Sequence, residues 1–106
     1  MNQSKIRWGI LGCGRIARKF AADLRLVEDA ELTAVASRNR ETAEQFALEF
    51  PCNYVHNQYE DLAANKDVDV IYIATPHSHH YEHTLLCLKY NKAVLCEKAF
   101  PWLVCC

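Results

Sequence analysis

The sequence predicts an α/β protein built on a doubly wound parallel sheet of about five strands. Three observations predict this fold. Short apolar runs alternate with amphipathic segments along the chain, no linker or internal repeat interrupts them, and a Gly-x-Gly-x-x-Ala turn joins the first run to the first helix. Strands that are separated by helices pair in parallel, with helices on both faces of the sheet. The 106 residues suffice for one domain.

Five short apolar runs predict the strands. The fourth is apolar throughout, as expected for a strand that is covered on both faces. Turn-forming or polar residues bound each run, and Pro76 ends the fourth. The predicted strands are Ile6–Leu11, Leu32–Ser37, Tyr54–Val55, Val70–Ala74 and Ala93–Cys96.

Helical spacing of apolar residues predicts the segments between the strands. Pro51 ends the second of these helices. The predicted helices are 14–27, 40–50, 59–65 and 77–90. Their predicted inward residues are Ile16, Phe20, Leu24 and Val27 in the first helix, Ala43, Phe46, Ala47 and Phe50 in the second, Leu62 in the third, and Tyr81, Leu85 and Leu88 in the fourth.

The glycine turn predicts a dinucleotide-binding βαβ unit. Gly12 suits a tight turn, Gly14 lets a pyrophosphate approach the backbone, and Ala17 lets the helix pack closely on the strand. The N–H groups and the positive end of the following helix would then face the phosphates. The candidate phosphate-binding residues are Gly12, Cys13, Gly14, Arg15 and Ile16. A plain βα turn in another α/β protein remains the alternative.

Ser37 and Arg38 follow the second predicted strand, where an acidic residue often binds a ribose 2′-hydroxyl. A carboxylate there would repel a 2′-phosphate, whereas a guanidinium and a hydroxyl can bind one. The sequence therefore predicts a preference for NADP(H), with NAD(H) possible. A doubly wound sheet binds ligands beyond the carboxyl ends of its strands. The predicted crevice accordingly also includes residues 75–80, extended by Glu97 and Lys98.

Composition excludes several classes of function. Hydrophobic residues make up 51% and charged residues 24% of the chain, and the formal net charge is −1 with scattered Lys and Arg. We therefore expect neither a nucleic acid nor a membrane as partner. The N-terminus lacks a signal-like apolar core, and no apolar run approaches membrane-spanning length, which favours a cytosolic location.

The cysteines and histidines do not predict a metal site. None of the six cysteines forms a Cys-x-x-Cys pair, and Cys13, Cys87 and Cys96 fall in apolar elements as expected for buried thiols. A disulfide framework is disfavoured. His79 and His83 share the spacing of one helix face, but no carboxylate or thiol stands at a metal-site spacing from them. No metal and no nucleophilic cysteine is predicted.

With these segments in place, the chain resembles the N-terminal half of the Gfo/Idh/MocA oxidoreductases over nearly all of residues 5–100. Besides the glycine turn, residues 74–80 (ATPHSHH) are similar to the family's Thr-Pro-Asn-x-x-His segment, with His77 at the Asn position and His80 at the His position. Residues 92–99 (KAVLCEKA) are similar to its Lys-x-Val-x-x-Glu-Lys-Pro. Both segments most resemble the dihydrodiol dehydrogenase-like branch. Two residues depart from the pattern: Asn91 replaces a Gly, and Ala99 replaces the Pro.

The resemblance implies roles for the residues that match. Thr75, Pro76, His77 and His80 would contact the cofactor, and Glu97 would lie near the nicotinamide ribose. Lys98 would lie beside the nicotinamide and the substrate carbinol, where a lysine can orient an oxygen and support proton transfer. Asn91 tolerates a left-handed conformation, so the preceding helix can still end there.

The resemblance also implies a second, substrate-binding domain, which this sequence does not contain. We expect residues 1–98 to form the cofactor domain and residues 99–106 to be an atypical tail, either a truncated or frame-shifted end or a natural segment on the sheet edge. The predicted function is the NADP(H)-binding domain of an oxidoreductase acting on a CH–OH group of a sugar, polyol or dihydrodiol. It is expected to be inactive alone and to take a small-molecule substrate only with the second domain. The alternatives are a non-catalytic dinucleotide-binding or redox-sensing module, and another nucleotide user such as a methyltransferase.

Overall fold

The structure, a computed structural model, describes residues 6–75 and 80–96, without the side chains of His80 and Cys96, and contains a parallel sheet flanked by helices. The strands are β1 (Ile6–Leu11), β2 (Ala30–Ala36), β3 (Tyr54–His56), β4 (Val70–Ile73) and β5 (Ala93–Cys96). The helices are α1 (Arg15–Leu24), α2 (Arg40–Glu49), α3 (Tyr59–Ala63) and α4 (His80–Lys89).

The five strands lie in the order β3-β2-β1-β4-β5, and all neighbouring pairs are parallel. The chain begins at the centre, builds one half of the sheet, and then crosses to build the other half. The change of direction lies between β1 and β4, which is where doubly wound sheets bind their ligands. The predicted fold class is confirmed.

The strand register brings the carboxyl ends of the central strands to one level. Leu11, the last residue of β1, pairs with Ala36 on one side and with Ile73 on the other. Two further hydrogen bonds extend this alignment: Gly12 N–H donates to the carbonyl of Ala36 at 2.8 Å, and Ala74 N–H donates to that of Leu11 at 2.9 Å. The segments that follow β1, β2 and β4 therefore emerge side by side.

The sheet separates two hydrophobic layers, which is why its central strands are apolar on both faces. Against α1 and α2, the rings of Phe20 and Tyr72 stack with centroids 3.8 Å apart. Against α3 and α4, Leu62, Ile71 and Cys87 are fully buried. The connecting turns, and not these two layers, form the carboxyl edge of the sheet.

The predicted inward face of α1 is wrong in part. Leu24 is buried, but Ile16 is 49% exposed and Phe20 only half-buried, and Val27 lies beyond the helix and is 50% exposed. The buried positions are Ala17, Ala21 and Leu24, so the close packing predicted for Ala17 is confirmed and only Ala21 was not foreseen. A helix that packs closely on a sheet contacts it through small residues, so its large apolar residues lie at the flanks of the contact.

The inward face predicted for α4 is also wrong. Tyr81, Leu85 and Leu88 are 76%, 49% and 51% exposed, whereas His83, Thr84 and Cys87 are buried. The fully buried positions of α4 are thus small or polar, and the half-buried Leu86 packs against the core beside them. The inward face predicted for α2 is confirmed at Ala43, Phe46 and Phe50, and Ala47 is half-buried.

The residues that end and begin helices behave as their chemistry predicts. Asn91 has a positive φ of 62° just after α4, which confirms that Asn can replace Gly at this helix end. The side chain of Asn39 accepts a hydrogen bond from Thr42 N–H at 3.2 Å and caps α2. Several predicted bounds differ by a few residues: β2 begins at Ala30 rather than Leu32, and α1 ends at Leu24 rather than Val27.

Cys13 and Cys87 are buried thiols, as predicted, and neither they nor Cys52 joins a disulfide. Cys96 is the last residue of β5, and the burial predicted for its thiol lies outside the part of the chain whose side chains the structure describes. Within residues 6–75 and 80–96, no helix has the length and apolar character needed to cross a membrane.

Candidate functional site

The turn after β1 is held tightly against the end of β4. Gly12 has a φ of 99°, a conformation that glycine adopts without the steric cost that other residues meet. A Cβ at this position would lie 2.9 Å from Cγ2 of Thr75 and 3.3 Å from the backbone of Ala74. The structure thus confirms that the turn needs glycine at position 12, and it places Thr75 directly against the turn.

Gly14 differs from Gly12 because the space that a Cβ would take there is open within the described part of the chain. A Cβ added there would meet no described atom within 4 Å, and the φ of −93° is open to any residue. The absent side chain therefore leaves room for a ligand beside the backbone rather than relieving strain. Such open space fits a phosphate group, which the second glycine of this motif is expected to admit.

The N-terminus of α1 offers backbone donors to that space. Gly14 is its N-cap residue and supplies no side-chain cap, and the first turn carries no acidic residue. The following Arg15 and Ile16 are exposed. By contrast, α2 is capped by Asn39 and carries Glu41 in its first turn. Unpaired N–H groups and the helix dipole at the start of α1 favour an anion there.

Cys13 has a structural contact inside the same turn. Its side chain is buried, and Sγ donates to the carbonyl of Ala36 at a distance of 3.5 Å. Burial raises the pKa of the Cys13 thiol to about 12, so the sulfur stays protonated at neutral pH. Its thiol therefore ties the turn to the end of β2.

Ser37 and Arg38 follow β2 beside this turn, as predicted. Ser37 is 9% exposed, and its Oγ accepts a hydrogen bond from Asn39 N–H at 3.2 Å. Arg38 is exposed, and no ion pair joins it to another residue of the described chain. Its guanidinium carbon lies 5.5 Å from the ring centroid of Tyr59. Arg38 thus extends from the carboxyl edge with its charge unneutralised by a described carboxylate.

Two residues of the site were missed by the sequence analysis. Tyr59 begins α3 and lies against Arg38, and burial raises the pKa of its phenol although Arg38 acts in the opposite direction. His83 is 6% exposed on α4, and its Nδ1 lies 2.7 Å from Oγ1 of Thr75. The signal for His83 was its position, four residues before Cys87 on one helix face, where a polar side chain in a core needs a partner.

An open groove of about 530 Å³ lies beside this group of residues. It runs between the loop after β3, the start of α3, and α4. Both signs of charge line it, since Arg38 shares it with Glu60 and Glu82. The residues that line the groove are Arg38, Asn57, Gln58, Tyr59, Glu60, Glu82, His83 and Leu86.

The remaining predicted site residues fall outside what the structure describes. Pro76, His77, Glu97 and Lys98 belong to the segments 76–79 and 97–106. His80 is the first residue of α4, and β5 ends at Cys96, which pairs with Ile73. Within the described ranges, no group of three or more His, Cys, Asp or Glu side chains could hold a metal ion.

The glycine turn, the open helix end and the switch in strand order define the class of this protein as a Rossmann-type dinucleotide-binding domain. Comparison with known proteins narrows the class to one family. Residues 6–101 match the Gfo/Idh/MocA model, described as "Oxidoreductase family, NAD-binding Rossmann fold". The chain belongs to this family and forms its NAD(P)-binding domain.

Similar proteins include dehydrogenases from a mammal and a fungus. The chain is 44% identical over 95 residues to mouse trans-1,2-dihydrobenzene-1,2-diol dehydrogenase, covering 88% of this chain. It is 40% identical over 111 residues to the D-xylose 1-dehydrogenase (NADP(+)) of Hypocrea jecorina, covering 93% of this chain. The chain spans 28% of the length of each of these relatives.

Solved structures show the same fold. A 3-ketoreductase from Actinomadura kijaniata in complex with NADP and TDP-benzene matches with a TM-score of 0.85 and 34% identity, over 91% of this chain and 30% of that one. Myo-inositol dehydrogenase from Lactobacillus casei in complex with NAD(H) and myo-inositol matches with a TM-score of 0.83 and 25% identity, over 89% and 28%. The fold therefore occurs with either cofactor.

Proposed function

We propose that the carboxyl edge of the sheet binds NADP(H) in preference to NAD(H), as the cofactor domain of an oxidoreductase. The observation that carries the preference is Arg38, an exposed guanidinium that follows β2 without a carboxylate partner among the described residues. A Rossmann domain binds the adenosine ribose at the carboxyl end of β2, the strand that pairs with β1 on the side away from β4.

The pyrophosphate would lie beside Gly14. Backbone N–H groups from the turn and the first residues of α1, including Cys13, Arg15 and Ile16, would donate to its oxygens. Open space at Gly14 and the absence of a side-chain cap support this placement. Cys13 would contribute through its main chain, since its thiol is engaged with Ala36.

The adenosine 2′-phosphate would lie at Ser37 and Arg38. A guanidinium can form paired hydrogen bonds with a phosphate, and the Ser37 hydroxyl can donate its proton while its oxygen accepts from Asn39. The fungal relative that is named for NADP(+) and the ketoreductase in complex with NADP support the proposal by similarity.

The other end of the cofactor would extend toward residues that follow β4 and β5. Thr75, Pro76, His77 and His80 would line that part of the site, with Glu97 at the nicotinamide ribose. Lys98 would orient the oxygen of the substrate carbinol and support its loss or gain of a proton. When bound, the nicotinamide supplies the hydride chemistry.

The substrate class is part of the proposal. The relatives are named for a dihydrodiol and for D-xylose, and the structural neighbours for inositols and a keto compound. We therefore propose oxidation of a CH–OH group in a sugar, polyol or dihydrodiol, or the reverse reaction. Because the chain spans 28% of its relatives' length, we propose this activity for a whole protein of the family that contains this domain, not for the 106 residues by themselves.

Calorimetric titration of the 106-residue chain with NADPH and NADH tests the cofactor proposal. We expect tighter binding of NADPH, and Arg38→Ala should weaken NADPH binding about ten- to hundredfold, the range of one charge-assisted hydrogen bond, while NADH changes little. Arg25→Ala is the matched control, because Arg25 also lies over an aromatic ring, that of Phe50, but outside the groove. Equal affinities of the unmodified chain for both cofactors would overturn the proposed preference.

We also propose that the protein works in the cytosol. Cys13, Cys52 and Cys87 are thiols in the structure, as cysteines are in reducing compartments. Fractionation of cells that produce the chain tests this, and recovery in a secreted fraction with these cysteines oxidised would contradict it.

A further inference from the structure

A chain of contacts connects the glycine turn after β1 to Arg38. Its central member has no role in the proposed function. That residue is the buried His83 of α4. It contacts Thr75 on one side and Tyr59 on the other. Thr75 in turn lies against Gly12, and Tyr59 lies under Arg38.

The first contact fixes the orientation of the imidazole. Oγ1 of Thr75 and Nδ1 of His83 are 2.7 Å apart in a buried environment, so one of the two groups donates to the other. Thr75 cannot shift toward the turn, because its Cγ2 already occupies the space that the missing side chain of Gly12 leaves. The imidazole is therefore anchored to the end of β4.

The second contact is between the anchored imidazole and the ring of Tyr59. The rings of His83 and Tyr59 meet edge to face, with centroids 4.8 Å apart and an interplanar angle of 75°. Tyr59 also packs against the hydrophobic layer that contains Leu62 and Cys87. Its ring is thus held from two directions, although the residue begins a short helix at the edge of the sheet.

The third contact concerns the guanidinium itself. Arg38 is exposed, and an exposed arginine samples many rotamers. Glu60 lines the same groove and offers a carboxylate with which the guanidinium could pair. Within the described chain Arg38 forms no ion pair with Glu60 and lies over the Tyr59 ring, 5.5 Å from its centroid. The ring therefore competes with this carboxylate for the guanidinium.

We propose that His83 is a positioning residue of the cofactor site: by holding the ring of Tyr59, it keeps Arg38 available for the 2′-phosphate and so sets the preference for NADP(H). This inference rests on the proposed function and assigns a cause to the preference. His83 acts through Tyr59 and makes no contact with the phosphate itself.

Titrations of the His83→Asn chain with NADPH and NADH test the proposal. An asparagine side chain places a polar atom near the former Nδ1 and can still bond to Thr75, but it lacks the ring that supports Tyr59. We expect the ratio of NADPH to NADH affinity to fall about fivefold or more, as for coupled neighbouring residues, with NADH affinity nearly unchanged. His56→Asn is the matched control, since His56 stacks on Tyr54 with centroids 6.0 Å apart.

Two variants of Tyr59 provide an independent readout. Tyr59→Leu should lower the affinity ratio, and adding His83→Asn to it should lower the ratio no further, because both changes remove the same support. Tyr59→Phe keeps the ring and should keep the ratio. Thermal unfolding of every variant shows whether each remains folded during the titration.

Several results would overturn the inference. An unchanged ratio in His83→Asn, or an equal loss of affinity for both cofactors, would show that His83 has a structural role alone, and the proposed function would stand. Additive effects of Tyr59→Leu and His83→Asn would also reject the coupling. Absence of any preference in the unmodified chain would reject both the inference and the proposed preference.

Discussion

Gly12 and Thr75 lie so close together that a side chain at position 12 would place its Cβ 2.9 Å from Cγ2 of Thr75. This close approach joins the turn after β1 to the second residue after β4, across the change of direction in the sheet. The glycine turn proposed to bind the phosphates and the start of the predicted 75–80 segment therefore belong to one packed unit.

Replacement of Gly12 by alanine should destabilise the fold. The left-handed φ of 99° costs a residue with a Cβ about 1–2 kcal/mol, and overlap with Thr75 adds to this. Chemical denaturation measures the change in the free energy of unfolding. A Gly12→Ala chain as stable as the unmodified protein would mean that the turn is not held as the structure shows.

Replacement of Gly14 by alanine should leave the stability nearly unchanged and weaken cofactor binding. Because the new Cβ meets no described atom within 4 Å, we expect stability within about 0.5 kcal/mol of the unmodified chain, as for a neutral surface change. The methyl group would fill the space proposed for the pyrophosphate, so affinity for both NADPH and NADH should fall.

Gly9→Ala is the matched control for this experiment. Its Cβ would lie 2.9 Å from Cδ1 of Leu62 and 3.0 Å from Cγ1 of Val68, inside the core. This variant should lose stability. If Gly14→Ala binds both cofactors as tightly as the unmodified chain does, the pyrophosphate does not lie beside Gly14.

Asp69 should contribute stability that depends on pH. Arg7 donates to its carboxylate from the backbone N–H at 2.9 Å and from Nη2 at 3.0 Å, and these contacts lower the pKa of Asp69 below its ordinary 3.8. The stabilisation is present above pH 3.8 and is lost as the pH falls through the lower folded-state value. Asp69→Asn should therefore be less stable than the unmodified chain at pH 7, and the difference should shrink below pH 3.8.

Chemical denaturation of both chains from about pH 2.5 to about pH 7, the range in which carboxyl groups titrate, measures this difference in the free energy of unfolding. Glu28→Gln serves as a control, because Glu28 forms no ion pair within the described residues. A stability difference for Asp69→Asn that stays constant with pH would contradict the pairing with Arg7.

Cys13 should resist alkylation in the native chain. Burial raises its pKa from 9.0 to about 12, so its thiolate fraction at pH 7.5 is about a thousandfold below that of an ordinary cysteine. Iodoacetamide treatment followed by peptide mass spectrometry should leave Cys13 unmodified until the chain is unfolded. Cys87, with a pKa raised to about 11, should behave in the same way. Labelling of native Cys13 at the rate of a short peptide would contradict its burial in the turn.

Most of the architecture was predictable from the sequence because it depends on strand-helix alternation and turn chemistry. The roles of Gly12 and Asn91 followed from backbone sterics, and both positive φ angles confirm them. The inward faces of α1 and α4 were not predictable from large apolar residues. Close packing selected the small Ala17 and Ala21 in α1, and a hydrogen bond to Thr75 allowed His83 to be buried in α4.

The candidate site was predictable where a motif marked it and not where only the fold assembles it. The order of the strands places Gly14 and Arg38 at one edge, as the sequence indicated. Tyr59 and His83 belong to no motif, and their contact spans 24 positions in the sequence. Only the packing of α3 against α4 shows that they meet.

Amide chemical-shift mapping of the isotope-labelled chain during titration with NADPH tests the central claim most directly. The account predicts that the largest shifts fall on the N–H groups of Gly12, Gly14, Ser37, Arg38 and Thr75, which lie together at the carboxyl edge of the sheet. Shifts that fall instead on the opposite end of the strands, around Ile6 and Ala30, or no shifts at saturating NADPH, would contradict it.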